Sequence, residues 1–268
     1  MQYKNKKNLF LYCVFDRLLI MRKQTFLSFF KNINPDILKI IALISMTIDH
    51  VGHVLFPGKY FFLRVIGRLA LPIFSYLFAL HLAENNHIYK KYAKRLLPFA
   101  FLSLIIVTPF DYYIKNIHKL SILFSFLLYL TIVYLLNLTL SVKKTLLKRF
   151  LFFITFVAGS FLSTFVDYGF LGFSFFMILY TYLKTKKWFL LPLCLIAGFS
   201  LNIQGIAHYP IWGLIMSTTS LFTTAFCLLQ NRNSKIKHKR FLKPWWLFYA
   251  YFPIHFFILY VVYILTNI

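Results

Sequence analysis

A chain of 268 residues of which 60% are apolar, 21% aromatic and only 13% charged, with a mean hydropathy of +0.72, has too little polar surface to cover a water-soluble globule of its size. Thirty Lys and Arg against six acids give a formal net charge of +24, but the basic residues cluster between apolar runs without the aromatic interleaving of a nucleic-acid surface, so no nucleic-acid partner is expected. Nine Gly, nine Pro and no alternating strands with a polar lumen exclude a transmembrane barrel; the expected fold is an all-α, polytopic integral membrane helix bundle in a lipid bilayer.

Residues 1–34 are basic, with short apolar stretches interrupted by Asp16, Arg17, Arg22 and Lys23 and no small-residue cleavage site after them. They read as a retained amphipathic cytoplasmic segment, with Met21 as an alternative start. Residues 35–268 read as one multi-span membrane domain. Windows of about 20 apolar residues place about nine spans, at 37–56, 60–83, 96–110, 120–140, 150–166, 169–183, 188–203, 210–229 and 245–266. The segment up to Lys31 holds seven Lys or Arg, residues 85–95 and 142–149 four each, 184–187 three and 231–243 six, together 24 of the 30. These are alternate connections, so they share one face, which the positive-inside rule makes the cytoplasm: N-terminus in, C-terminus out, in the inner membrane. Trp245 and Trp246 suit an interfacial anchor of the last span. Cys13, Cys194 and Cys227 lack metal-ligand spacing and read as small core residues, and no metal site is expected.

Ionisable groups inside a span cost about 2.5–3.5 kcal/mol each, so those that persist need partners or a task. The first span carries Asp49 and His50, about 18–20 Å along it from the cytoplasmic end. The second carries Arg64 and Arg68, four residues apart on one face, and the turn around Pro57 and Gly58 makes the two spans antiparallel neighbours. Two readings fit. A buried ion pair pins the hairpin, with His50 as a packing hydrogen bonder; or His50 is a general base in a polar cavity, with Asp49 or an arginine orienting it or stabilising charge, as acyl transfer onto an amine or hydroxyl requires. His255 in the last span either lines the same cavity or hydrogen-bonds across helices. His53 is a candidate second cavity residue. Asp111 and the Asp167–Tyr168–Gly169 break read as turns or caps, His81, Glu84 and His87 as interfacial, and His118 and His208 as loop residues. A transporter would use the same charges as an ion path, but no internal repeat supports one.

The run Leu38 to Gly52, followed by Leu63, Arg64, Val65, Ile66, Gly67, Arg68, Leu69, Ala70, Leu71 and Pro72, resembles the TraX family. The resemblance continues through Pro109, Phe110 and Asp111, then Asp167, Tyr168, Gly169 and Gly172, and Phe248, Tyr249, Tyr251, Pro253 and His255. It implies acetylation of pilin amino termini with acetyl-CoA as donor, and a likeness to membrane acyltransferases of the acyltransferase-three type. In that larger group a His late in the first span is the proposed catalytic residue, which falls on His50, and an Arg earlier in the span is replaced here by Lys39. The implied site is therefore His50, Asp49, Arg64 and Arg68 for catalysis, with Lys39 and His255 at the acetyl-CoA donor. The implied acceptor is a pilin, with a surface glycan or lipid as the alternative.

Overall fold

The computed structural model describes residues 33–85, 88–115, 119–140, 143–230 and 246–267. The amphipathic segment up to residue 32, Cys13, Met21, His87, His118, the basic connection 231–243 and Trp245 lie outside the described residues.

Helix α1 (Pro35–Val54) starts where its sequence says it should. The Asn34 side chain accepts the Asp36 N–H at 2.9 Å, Pro35 occupies the first turn, and Asp36 sits against the positive end of the helix. After the turn at Gly58, whose φ of 73° suits glycine, the chain returns as α2 (Phe61–Gly67) and α3 (Ala70–Glu84). Then come α4 (Tyr89–Lys115), α5 (Ile122–Leu140), α6 (Thr145–Ser163), α7 (Gly169–Thr185), α8 (Leu190–Ser200), α9 (Ile203–His208), α10 (Pro210–Leu229) and α11 (Leu247–Asn267). No strand occurs among the described residues, only an isolated bridge between Leu120 and Val166 that ties two connections together at the Gly58 end.

Six of these elements are long and apolar enough to cross a membrane: α1, α2 with α3, α5, α6, α10 and α11. Among the described residues the expected total of nine is not confirmed. α4 carries Lys90, Lys91, Lys94 and Arg95 in its first turns, and α7 has 17 residues. The span expected at 188–203 is corrected to an 11-residue helix, about 16 Å long against about 30 Å of hydrocarbon. Its apolar composition overstated its length because the chain leaves the helix after Ser200 to present Asn202 to the interior.

The span expected at 60–83 is interrupted at Arg68 and Leu69, where the backbone N–H groups bond back three residues, to Val65 and Ile66. Pro72 explains the break: it has no N–H to give the Arg68 carbonyl. That carbonyl accepts instead from the Ser220 hydroxyl of α10 at 3.4 Å.

The bundle is organised around α3, which packs on α1, α7 and α10. The second span is 61% buried, whereas α6 is 6% buried and presents Phe150, Phe153 and Phe161 outward, as a lipid-facing helix does. α1 also packs on α2 and α11, α11 on α4, α4 on α5, and α8 on α7 and α10. Tyr129, Phe173, Phe175 and Phe176 fill the centre, and Cys194 and Cys227 are buried.

At the Gly58 end, α9 and α10 meet backbone to backbone. A Cβ on Gly213 would lie 2.3 Å from the Gly205 carbonyl carbon, whereas one on Gly205 would meet nothing nearer than 3.5 Å. Gly213→Ala is expected to cost about 1–3 kcal/mol, read as a lowered thermal midpoint in detergent, while Gly205→Ala leaves the midpoint unchanged.

Candidate functional site

α1 and α2 approach closely because two glycines face the partner helix. A Cβ on Gly52 would sit 2.7 Å from the Leu63 Cβ, and one on Gly67 would sit 2.2 Å from the Asp49 Cβ. That proximity lets Asp49 reach both arginines. Its Oδ1 accepts from Arg68 Nη2 at 2.8 Å and its Oδ2 from Arg64 Nη1 at 3.3 Å. Arg68 is held on every nitrogen: Nε donates to the Arg64 carbonyl at 3.1 Å and Nη1 to Asn202 Oδ1 at 3.0 Å. Asn202 Nδ2 in turn donates to Ser220 Oγ at 2.7 Å, and Ser220 closes the loop on the Arg68 carbonyl. Arg64 is the more open of the two, its side chain 27% exposed against 11% for Arg68.

His50 follows Asp49 but faces α11. Its Nδ1 lies 2.7 Å from His255 Nε2, and His255 Nδ1 donates to the Tyr251 carbonyl at 2.9 Å. Phe252 and Phe256 wall the His50 ring at 6.3 and 4.3 Å between centroids. One turn earlier, Thr47 Oγ1 and Tyr251 Oη are 2.6 Å apart, a second polar tie between the same helices.

Two cavities flank this arrangement. The larger, about 950 Å³, opens among the connections at the Gly58 end and is lined by Asp49, His50, His53, Arg64, Arg68, Asp167, Tyr168 and Asn202. The smaller, about 400 Å³, reaches the opposite end, where Asp36, Lys39, Lys91, Arg95, Tyr92 and Tyr249 line it. Met46, Phe74, Ile122 and Phe252 line both, so the two spaces adjoin one helical turn from His50.

The structure thus gathers Asp49, His50, Arg64, Arg68 and His255 at one level, and sets Lys39 about 16 Å away along α1. There Lys39 pairs with Asp36 at 2.9 Å and its ammonium lies 4.9 Å from the centre of the Phe248 ring. His53 lines the larger cavity. His81 lines the smaller one, donating Nδ1–H to the Leu77 carbonyl. His208, expected in a loop, ends α9 and lines the larger cavity.

Sequence reasoning missed Asn202, Ser220 and the part played by Tyr168. Tyr168 caps α7 with a left-handed φ of 61°, and a Cβ on Gly172 would sit 2.6 Å from the Tyr168 Cβ, so that glycine makes room for it. Burial pushes the Tyr168 phenol up from its ordinary value; Arg68 opposes this and Asp49 adds to it.

The geometry sets the cost of disturbing the ion triad. Asp49→Asn, which leaves two guanidinium groups without their carboxylate, is expected to destabilise by about 3 kcal/mol. Gly67→Ala, which drives a methyl group into Asp49, is expected to cost about 1–3 kcal/mol. Thermal unfolding in detergent checks both, and equal midpoints for wild type and Asp49→Asn would contradict the triad's role.

No solved structure matches the chain. An uncharacterized protein of Rickettsia prowazekii is 49% identical over 41 residues, which cover 15% of this chain and 16% of that protein. Protein TraX of Escherichia coli is 31% identical over 113 residues, 40% of this chain and 43% of that protein. The chain thus spans less than half the length of the curated relatives it matches. The family described as TraX protein matches residues 34–263, a stretch that contains the ion triad, both histidines, Asn202 and both cavities' principal walls. By that match over most of its length, the chain belongs to the TraX family.

Proposed function

We propose that this protein is a membrane-embedded acetyltransferase that takes acetyl groups from acetyl-CoA at one end of the bundle and delivers them to an amine presented at the other, with a pilin amino terminus as the acceptor. The observation that carries the reading is the position of His50, on the wall of one cavity and a single turn from the residues shared with the other.

The smaller cavity suits the donor by its chemistry. Lys39, Lys91 and Arg95 offer cationic groups for phosphates, and Tyr92, Phe248 and Tyr249 offer aromatic faces. A volume of about 400 Å³ admits a narrow thioester-bearing arm while a nucleotide stays at the mouth. On the positive-inside reading this end faces the cytoplasm, where acetyl-CoA is found; an inner-membrane location is part of the same proposal. The same basic residues also satisfy that rule, so donor binding rests on the side chains that line the cavity.

His50 then serves as the base. It takes the proton of the acceptor amine as the nitrogen attacks the thioester carbonyl, and returns it to the departing thiolate as the carbon–sulfur bond breaks. The Asp49–Arg64–Arg68 group carries one positive charge in excess, and Arg64, held by one 3.3 Å contact to Asp49, is the guanidinium placed to meet negative charge on the carbonyl oxygen. Arg68 belongs to the frame.

Incubating purified protein with acetyl-labelled acetyl-CoA and a peptide bearing a pilin amino terminus tests the reading. Label transfer is expected, with His50→Ala lowering the rate about 10²–10⁴-fold in protein that still unfolds cooperatively, its midpoint lowered by the loss of the His255 contact. Lys91→Ala is expected to raise the KM for acetyl-CoA several-fold with kcat preserved. Transfer that survives in His50→Ala, or no transfer to any amine, would overturn it.

A further inference from the structure

The pairing of His50 with His255 contains more information than its length. The His255 Nδ1 lies 2.9 Å from the Tyr251 carbonyl oxygen, which accepts hydrogen bonds and cannot donate, so Nδ1 carries the hydrogen. In a neutral His255 the other nitrogen, Nε2, is then an acceptor. That nitrogen is 2.7 Å from His50 Nδ1, so the hydrogen between the rings belongs to His50.

The ring geometry agrees: the centroids are 5.0 Å apart and the planes differ by 17°, the arrangement of two imidazoles joined edge to edge by an in-plane N–H···N bond. His255 is itself immobilised, 5% exposed, with Tyr251 against it at 5.2 Å and 14°. The Thr47–Tyr251 contact holds the same stretch of α11 in register. Thr47 donates its one hydroxyl hydrogen to the Leu43 carbonyl at 2.9 Å, so Tyr251 is the donor in the 2.6 Å contact with Thr47.

We infer that His255 is a positioning residue that fixes His50 as the Nδ1–H tautomer and so places its basic lone pair on Nε2. This deepens the acetyltransferase reading, on which its catalytic consequence rests. In that reading the amine proton arrives at His50 Nε2, the Nδ1–H···Nε2 bond to His255 becomes charge-assisted, and the same proton leaves with the thiol. His255 thus does, as a neutral acceptor, what a carboxylate does in the familiar hydrolase triads. Asp49 is not required for this, since both of its oxygens are engaged by the arginines.

Two measurements on the full chain in lipid bilayers test the inference. In ¹⁵N-histidine-labelled protein without donor or acceptor, with His50 assigned by comparison with His50→Ala, solid-state NMR is expected to show hydrogen on Nδ1 of neutral His50. In His255→Leu the hydrogen is expected to move to Nε2, the tautomer neutral histidine usually prefers. In the transfer assay, His255→Gln, whose amide oxygen also accepts from Nδ1–H, is expected to keep kcat within about tenfold, whereas His255→Leu loses about 10²-fold or more in kcat at unchanged KM. Hydrogen on Nε2 of His50 in the wild type, or equal kcat for the Leu and Gln variants, would overturn the inference. The NMR reading needs no acyl transfer, so Nδ1–H at His50 in a protein that transfers nothing would uphold the positioning and count against the acetyltransferase reading alone.

Discussion

The carboxylate of Asp49 is the point on which the site is hung. An unpaired charge at this depth is costly, and one carboxylate shared by two guanidinium groups gathers three such charges in a single cluster with one positive charge in excess. The cluster lies where α1 and α2 can touch only because Gly52 and Gly67 lack side chains at the crossing. Pairing of this kind contributes little net stability in an apolar interior, since desolvation offsets the attraction. Its contribution is positional. With Asp49 committed to the arginines, the register of α1 against α2 is set, and His50, about 100° further round the same helix, is turned toward α11.

The rest of the bundle serves that register. The break at Arg68–Leu69 follows from Pro72, and the carbonyl it strands is satisfied from α10 through Ser220. Asn202, on the connection after the short helix α8, bridges Arg68 to Ser220. Two loops of hydrogen bonds that share Arg68 therefore tie α1, α2, the α8–α9 connection and α10 together, while the Thr47–Tyr251 and His50–His255 contacts add α11. Asp49, Arg68, Asn202 and Ser220 each bond a partner that also orients something else, which makes these four a single unit rather than independent contacts.

The membrane class and most helices were legible from apolar runs, because a 20-residue window reports burial in lipid directly. So was the triad: Asp49 and two arginines at helical spacing across a short turn leave few other geometries. What hydropathy could not show was the use of individual polar residues. The apolar stretch at 188–203 looks like a span until Asn202 is seen to leave the helix for Arg68, 134 residues away in sequence. Pro72 announces a stranded carbonyl four residues earlier, but not that Ser220 reaches it. His255 reads in sequence both as a donor-site residue and as a cross-helix hydrogen bonder; its Nε2 lies 2.7 Å from His50 Nδ1, and which side of α11 it occupies is decided by packing and not by composition. Family membership follows from the match over residues 34–263, and the chemistry assigned to the site remains the proposal that its geometry supports.

At the centre of that proposal stands a base between two cavities that open at opposite ends of the bundle. The most direct test is sided. Protein reconstituted in one orientation in sealed vesicles is given labelled acetyl-CoA at the face bearing Lys39 and an amine acceptor at the face bearing Gly58. Acetylation of the acceptor is expected only when donor and acceptor lie on opposite sides of the bilayer; transfer that requires both on the same side would contradict it.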